Sequence, residues 1–291
     1  MFYDENLLLE MRLNILDDFI DYFVIVESKH FHNGKERELI FNIDNYQKFK
    51  NKIIYIVHDV VPKGVEKILP NDSVKDAQIK KIYNALKREN DQRNYIMRGL
   101  EKANDNDLIL ISDVDEIPNL QSLNLRDLAN EIILFRQDMF SYKLNRYQPG
   151  FDWFGTKACK KKIFKGPQWL RNIKYKDYSF FRIDTLFSEK KYINKRFIND
   201  GGWHFSNLKD AESIDLKLKS YLHHIDYELE EMGKNKIDDL IKSNKTLYDL
   251  RADKTSKKFS DEKREYLRKY DIRNLPIYIQ KNLNKYKDWI D

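Results

Sequence analysis

The sequence predicts an α/β fold with a mostly parallel sheet flanked by helices. Three apolar runs alternate with helical patterns: "YFVIVES" (Tyr22 to Ser28), "IIYIVHD" (Ile53 to Asp59) and "LILI" (Leu108 to Ile111). Short runs rich in β-branched and aliphatic residues are typical of buried strands. Strands that alternate with helices favour a parallel sheet, because each helix returns the chain to the same edge.

The segments between these strands have helical patterns. "NLLLEMRLNILDDF" (Asn6 to Phe19) places Leu9, Leu13 and Leu16 on one face, with Asn6 available as the cap. "NIDNYQKFKNK" (Asn42 to Lys52) predicts a second helix. A long polar helix, or a pair of helices, is expected to open at Asn71 to Ser73, and its last part turns a set of residues towards the core: Ile96, Gly99, Leu100 and Ala103.

The stretch "LILISDVDEIPN" (Leu108 to Asn119) carries the first functional signal. Its four aliphatic residues do not alternate with polar ones, which predicts a central strand covered on both faces. Ligands of open α/β sheets bind beyond the carboxyl ends of the strands. Asp113 and Asp115 point to the same side there, and two carboxylates on one side favour a divalent metal that carries a nucleotide diphosphate.

Two other interpretations of this stretch remain open at this point. Acidic residues after a strand are common turn formers. A haloacid-dehalogenase phosphatase also begins with Asp-x-Asp after a buried strand, but it needs a small Gly-Thr pair next, where this chain has Glu116-Ile117-Pro118. The third carboxylate, on Glu116, favours the cation site.

Composition narrows the class of protein. The chain has 291 residues and a formal net charge of +6 with both signs mixed along it, so no nucleic-acid partner is expected. The single cysteine, Cys159, excludes an intrachain disulfide. No apolar run is long enough to span a membrane, and no signal peptide is evident, which favours a soluble, cytoplasmic protein.

Two further function classes remain open beside a site for a metal-bound nucleotide diphosphate. From Lys242 onward basic and aromatic residues interleave, which is the pattern of a module that binds an anionic membrane or nucleic acid, although acidic residues interleave there too. A metal phosphohydrolase would use the same aspartates and would release phosphate without a sugar acceptor.

Four segments together resemble glycosyltransferase family seventeen, and they occur in the family's order. They are "RENDQRNYIMRGL" (Arg88 to Leu100), "SDVDEIP" (Ser112 to Pro118), "WFGTKACKKKIF" (Trp153 to Phe164) and "DGGWHFS" (Asp200 to Ser206). The best-known animal member adds the bisecting N-acetylglucosamine to N-glycans. The resemblance implies a GT-A fold, UDP-N-acetylglucosamine as the donor, a glycan hydroxyl as the acceptor, Mn²⁺ or Mg²⁺ on Asp113 and Asp115, and inversion at the anomeric carbon.

The resemblance also implies roles for single residues. His204 is expected to be a further metal ligand, and Asp200 is expected to be the catalytic base, with Asp138 and Asp152 as alternatives. The residues expected to bind the donor are Arg88, Arg93, Asp113, Lys157 and Trp203. Each has a structural alternative, since arginines pair with acidic neighbours, tryptophans fill cores and lysines face solvent. Gly201 and Gly202 are expected to let the backbone approach a ligand.

The chain departs from the family pattern at both ends. It is expected to begin just after the family's first strand, at "MFYDENLLLEMRLN", and the missing strand is expected to tighten donor binding when present. We predict a GT-A-like catalytic domain over residues 1–230 and a helical extension over residues 231–291 packed on it. Because the sequence shows no membrane anchor, we expect a soluble enzyme that acts on a bacterial or viral glycan.

Overall fold

A computed structural model describes residues 1–123, 128–176, 188, 193–221, 227, 231–249, 259 and 263–291. The described residues form a mixed α/β fold in which helices cover three β-sheets. No helix among them is long and apolar enough to cross a lipid bilayer.

The helices and strands follow one another along the whole chain. The helices are α1 (Asn6–Leu16), α2 (Val74–Asn94), α3 (Pro167–Asn172), α4 (Ala211–Ser220), α5 (Gly233–Lys242) and α6 (Ile277–Lys281). The strands are β1 (Phe23–Ser28), β2 (Ile53–His58), β3 (Leu108–Ile111), β4 (Glu116–Pro118), β5 (Ile132–Phe135), β6 (Gln137–Ser141), β7 (Arg146–Trp153), β8 (Lys157–Lys160), β9 (Lys195–Ile198), β10 (Gly202–Ser206) and β11 (Arg268–Lys269).

The strands form sheets of two, four and five strands. β1 and β2 pair alone, β3-β8-β5-β9 form the second sheet, and β11-β7-β6-β10-β4 form the third. Of the eight strand pairs between described residues, β1–β2, β5–β9 and β6–β10 are parallel and the others are antiparallel. The α/β class is therefore confirmed, whereas the prediction of a mostly parallel sheet is wrong.

The predicted elements of the amino-terminal part are present with small corrections. Helix α1 buries Leu9, Leu13 and Leu16, but Asn6 is its first residue and not its cap; the Asn6 side chain accepts a hydrogen bond from the Tyr46 hydroxyl. A 3₁₀ helix, Ile43–Phe49, replaces the predicted second α-helix. Helix α2 begins after Ser73, whose hydroxyl caps it by accepting from the Asp76 N–H.

Strand β3, which leads to the Asp-x-Asp segment, lies at the edge of its sheet. It pairs with β8 on one side and, within the described residues, with no strand on the other. The prediction of a central strand is wrong, although both faces of the strand are covered: Ile109 and Ile111 pack in one apolar cluster, and Leu108 and Leu110 pack against another. Apolar side chains on both sides of a strand indicate that both of its faces are covered. They do not indicate whether its backbone pairs with a second strand.

The carboxyl-terminal residues join the third sheet. β11 pairs with β7, the Tyr270 hydroxyl donates to the Asp138 carboxylate, and the Trp203 indole donates to the Asn274 carbonyl. The α6 segment packs on α1. Residues after 231 thus contribute a strand as well as helices, and the boundary placed at residue 230 stays a prediction.

Position 202 requires a glycine because β4 passes close to its backbone. Its φ of +116° is disfavoured for other residues, and a Cβ there would lie 2.2 Å from the Ile117 carbonyl oxygen. Gly201 likewise closes on the backbone of Arg136. The glycine pair, which the sequence assigned to close approach of a ligand, serves the close approach of β10 to the backbone beside it.

We expect Gly202→Ala to lower the free energy of unfolding by about 3 kcal/mol, because backbone strain and overpacking add. Gly150→Ala is the matched control: its φ is also positive, at +67°, but no atom lies within 4 Å of the added Cβ, so about 1–2 kcal/mol is expected. Urea unfolding measures both. Equal losses would show that the contact with β4 is absent.

Candidate active site

The turn between β3 and β4 carries Asp113, Asp115 and Glu116. It closes through two hydrogen bonds: the Glu116 N–H donates to the Asp113 carbonyl at 3.2 Å, and the Asp113 N–H donates to Glu116 Oε2 at 3.0 Å. Arg12 of helix α1 supports the turn from below by donating to the Glu116 carbonyl at 2.5 Å and to the Asp113 carbonyl at 3.2 Å. The turn is therefore tied to the helix that precedes β1.

Arg171, near the end of α3, neutralises the carboxylates of this turn. It donates to both oxygens of Glu116 at 2.7 Å and to Asp113 Oδ2 at 2.9 Å. Arg93 of α2 lies 3.5 Å from the other oxygen, Asp113 Oδ1. Burial would raise the pKa of Asp113, but the charges of Arg171 and Arg93 outweigh it and hold that pKa well below its usual range.

Glu116 is also held by an aromatic residue from β7. The Trp153 indole donates to Glu116 Oε1 at 2.6 Å, and its ring stacks on the His204 imidazole with centroids 4.9 Å apart. Gly155 makes room for this contact, since a Cβ there would lie 1.9 Å from Glu116 Oε1. Glu116 is thus a buried structural carboxylate, whose oxygens are occupied by Arg171, Trp153 and the turn itself.

Asp115 and His204 meet on the open side of the turn. Asp115 Oδ2 lies 3.4 Å from His204 Nε2, and the Phe205 N–H donates to the Asp115 carbonyl at 2.9 Å. His204 Nδ1 is buried without a hydrogen-bond partner among the described residues. Burial raises the pKa of Asp115, but the charge of and hydrogen bond from His204 outweigh it and lower that pKa overall.

The separation of Asp115 and His204 fits two ligands of one metal ion. Ligand bonds of about 2.1 Å place two donor atoms about 3.0 Å apart at a right angle and about 3.4 Å apart at the tetrahedral angle. Asp113 fits less well, because each of its oxygens faces an arginine. Within the described residues, no three His, Cys, Asp or Glu side chains are arranged as a metal site.

A cavity of about 200 Å³ opens beside this pair. Asp113 and Asp115 line its charged end, and Tyr3 and Phe31, with ring centroids 5.6 Å apart, line its aromatic end. His30 also lines it, and its Nδ1 is buried without a hydrogen-bond partner among the described residues. The cavity is therefore lined by both aromatic and charged side chains, and Arg37 lies over the Tyr3 ring.

Lys217 brings a cation into the same cavity. It projects from α4, lines the cavity with Asp115, and its ammonium forms no hydrogen bond or ion pair in the part of the chain that the structure describes. Burial lowers the pKa of Lys217, but Asp115 and Glu5 raise it above its ordinary value, so the ammonium keeps its charge. A half-buried ammonium that faces a cavity is suited to an anion.

The residues that the sequence assigned to the donor lie in several places. Arg93 is buried against Glu89 and Asp113, and Arg88 supports the loop at His32 by donating to its carbonyl. Lys157 donates to the Ile173 carbonyl at 2.6 Å and to the Arg171 carbonyl, at the end of α3. These residues support the site from behind, and only Asp113 among the predicted donor contacts lines the cavity.

Trp203 and two of the predicted bases lie on the other face of the sheet. Trp203 pairs with Asp138 in the β6–β10 register and Asp138 with Asp152 in the β6–β7 register, whereas His204 pairs with Glu116. Because neighbours in register share a face and successive residues alternate, Trp203, Asp138 and Asp152 point away from His204.

Asp200 is separated from Asp115 along the strands. It accepts from the Asn119 side chain at 3.0 Å, at the far end of β4. Asp115 and Asn119 are four residues apart in extended chain, which spans about 13 Å. The structure does not bring Asp200, Asp138 or Asp152 to Asp115 and His204, and the assignment of the base to any of the three stays a prediction that this arrangement does not support.

Comparison with known families gives one match for the chain. The family model described as Glycosyltransferase family 17 matches residues 1–290. The chain belongs to glycosyltransferase family 17. It is a glycosyltransferase. The match also covers residues 231–290, which we predicted to be an extension outside the family pattern. No curated protein and no solved structure matches the chain.

Sequence reasoning missed three cations of this family 17 site: Arg12, Arg171 and Lys217. Arg12 had a signal, because it lies between Met11 and Leu13 on a helix whose neighbouring side chains are buried. Arg171 and Lys217 occur in ordinary amphipathic helices, and their positions depend on how α3 and α4 dock. No local pattern distinguishes them from surface cations.

We expect Arg171→Met to lower the free energy of unfolding by about 3–5 kcal/mol at pH 7, because it leaves buried carboxylates without their counter-charge. The wild-type stabilisation from Asp113 is present above the unfolded carboxyl pKa of about 3.9 and is lost as the pH falls through the lowered folded value. In the variant, burial without Arg171 raises the pKa of these carboxyls, so they take up protons between pH 7 and pH 4, where wild-type Asp113 stays ionised. The difference between variant and wild type should therefore shrink towards pH 4.

Urea unfolding of both proteins at pH 7 and pH 4 measures this difference. Arg273→Met is the matched control, because its guanidinium pairs with Asp271 on the exposed surface, and little change is expected at either pH. A pH-independent loss in Arg171→Met would indicate lost packing rather than lost charge compensation.

Proposed function

We propose that this glycosyltransferase is metal-dependent and inverting, and that it transfers N-acetylglucosamine from UDP-N-acetylglucosamine to a glycan hydroxyl. The observation that supports the proposal best is the Asp115–His204 pair, 3.4 Å apart. Asp115 of this pair lines the cavity that Asp113 and Lys217 also line. Another nucleotide sugar is the alternative donor, since no described residue distinguishes the sugar.

The aromatic and the charged side chains that line the cavity suit the base and the phosphates of a nucleotide, respectively. A volume of about 200 Å³ is below the range of whole drug-sized ligand sites, about 300–1,000 Å³, so it suits part of the donor. We place the base beside the tilted Tyr3 and Phe31 rings, with the His30 Nδ1 atom as its polar contact. The diphosphate then lies at Lys217 and Asp115.

The acceptor sugar would stack on β7. Trp153 and Phe151 lie two residues apart on the same face of that strand, with ring centroids 6.3 Å apart, and both are partly exposed. The Trp153 ring also contacts His204. A sugar on these rings would present its hydroxyl beside the sugar of the donor, which is the arrangement that in-line attack requires.

Charge on the leaving diphosphate is the main electrostatic demand of the reaction. A divalent ion held by Asp115 and His204 would neutralise part of it. Lys217 adds a fixed positive charge from α4, and Asp113 stays on Arg171 and Arg93, where it keeps the turn in place. Preorganised charges of this kind stabilise the leaving group without rearrangement during the reaction.

We expect Asp115→Asn and His204→Ala each to weaken Mn²⁺-dependent binding of UDP about tenfold or more, because each removes a ligand from the ion. Asp200→Asn is the matched control, since Asp200 lies at the far end of β4. Calorimetric titration of Mn²⁺ and UDP measures the effect. Unchanged binding in both variants would exclude this pair as the metal site.

We expect Lys217→Met to weaken UDP binding about 10- to 100-fold with or without Mn²⁺, because the phosphate loses a charge-assisted contact. Lys219→Gln, on the same helix, is the control: Lys219 pairs with Asp215 and Glu231 outside the cavity. Binding of uridine, which lacks phosphate, should not change in either variant. An equal loss for UDP and uridine would place Lys217 at the base instead.

A further inference from the structure

Helix α2 turns an apolar face to solvent. Four of its large apolar side chains are between 38% and 56% exposed: Ile79, Ile82, Tyr83 and Leu86. Residues at i, i+3, i+4 and i+7 lie on one face of a helix, and a surface helix normally turns such a face to the core. Here the buried residues of the same turns are Asn84 and Ala85. The helix is therefore held by its other side, and its apolar face is left uncovered.

The loop before α2 extends this exposed face. The Asn84 side chain donates to the Glu66 carbonyl at 2.7 Å and accepts from the Glu66 N–H at 2.8 Å. Lys80 pairs with Asp72 at 2.7 Å. These contacts hold the loop along the turns that carry the apolar face. Two exposed apolar residues of the loop lie between the two anchors, and with the helix face they form the α2 surface: Ile68, Leu69, Ile79, Ile82, Tyr83 and Leu86.

Positive charge surrounds the α2 surface. Three exposed lysines of the loop and the first turn of α2 form no ion pair with any residue that the structure describes: Lys63, Lys67 and Lys75. The acidic side chains of residues 60–88 are engaged by a lysine or by the helix cap: Glu66, Asp72 and Asp76. Lys75 also precedes Ile79 by one helical turn, on the same face. An apolar surface with such a rim suits an anionic partner.

An anionic lipid surface fits the α2 surface better than a second copy of the chain does. A symmetric dimer would bring the same three lysines of both copies together, and like charges that face each other disfavour association. Lipid phosphates complement the lysines, and the acyl boundary below them accepts the isoleucines. Tyr83 suits this boundary as well, because its ring is apolar and its hydroxyl is polar.

We propose that the α2 surface docks the protein on an anionic lipid bilayer. Its apolar side chains enter the boundary between headgroups and acyl chains, and Lys63, Lys67 and Lys75 bind lipid phosphates. Helix α2 then lies in the plane of the lipid surface. Contiguous exposed apolar surface of this kind marks a site of interaction with proteins or membranes, and the lysines select the anionic membrane.

Docking through α2 would also position the smaller cavity. Glu89 and Gln92 of the same helix line that cavity. Leu86 and Glu89 are three residues apart, which is about 4.5 Å along the helix axis. The docked protein therefore holds the cavity close to the lipid headgroups. This inference does not depend on the proposed donor or metal, because the α2 surface contacts lipid through other residues.

Flotation of the full chain with lipid vesicles tests the docking. We expect vesicles of equal parts phosphatidylcholine and phosphatidylglycerol to bind the protein about tenfold or more tightly than vesicles of phosphatidylcholine alone. Ile79→Gln combined with Ile82→Gln should weaken binding to the anionic vesicles about tenfold or more, because the apolar anchors are lost. The matched control combines Leu216→Gln with Ile277→Gln, which lie on α4 and α6 and are 60% and 52% exposed; its binding should equal that of the wild type.

Equal binding of the two double variants, or no binding of the wild type to the anionic vesicles, would overturn the proposal. Light scattering without vesicles measures the mass: a dimer that the isoleucine variant dissociates would assign the α2 surface to a second copy and overturn the lipid partner. Circular dichroism shows whether the isoleucine variant folds. If it does not, Lys63→Gln, Lys67→Gln and Lys75→Gln are combined instead. A loss of about tenfold on anionic vesicles would then support the proposal, and unchanged binding would overturn it.

Discussion

The paired charges of Arg171 and Glu116 are the interaction on which the candidate site depends. Glu116 is 1% exposed, and its oxygens accept from Arg171, from the Trp153 indole and from the Asp113 N–H. A buried carboxylate without a counter-charge would be neutralised or would unfold its surroundings. Through this one carboxylate, helix α3 and strand β7 both hold the turn that carries Asp113 and Asp115.

The fixed turn determines which groups face the substrate. Glu116 pairs with His204 across β4 and β10, and the Phe205 N–H binds the Asp115 carbonyl, so Asp115 and His204 meet without a loop of adjustable length between them. Asp113 turns to Arg171 and Arg93, whereas Asp115 faces His204 and lines the cavity with Lys217. The two aspartates of Asp-x-Asp therefore make different contacts, because both arginines lie on the side of Asp113.

Much of this arrangement could be predicted from the sequence where the signal is local. The strands β1, β2 and β3, the start of the long helix at Asn71 to Ser73 and the proximity of Asp115 to His204 were predicted. The edge position of β3 was not, because apolar side chains report coverage of faces and not backbone pairing. The separation of the predicted bases from Asp115 and His204 could not be foreseen either: Asp200 is near His204 in sequence, but an extended strand carries it away.

Crystals of the chain with Mn²⁺ and UDP, measured at the manganese absorption edge, test the central claim most directly. The account predicts one anomalous peak within about 2.3 Å of Asp115 and His204, the diphosphate against Lys217, and Asp113 still paired with Arg171. A peak on Asp113 with Arg171 displaced, or UDP bound without metal and away from Lys217, would contradict it.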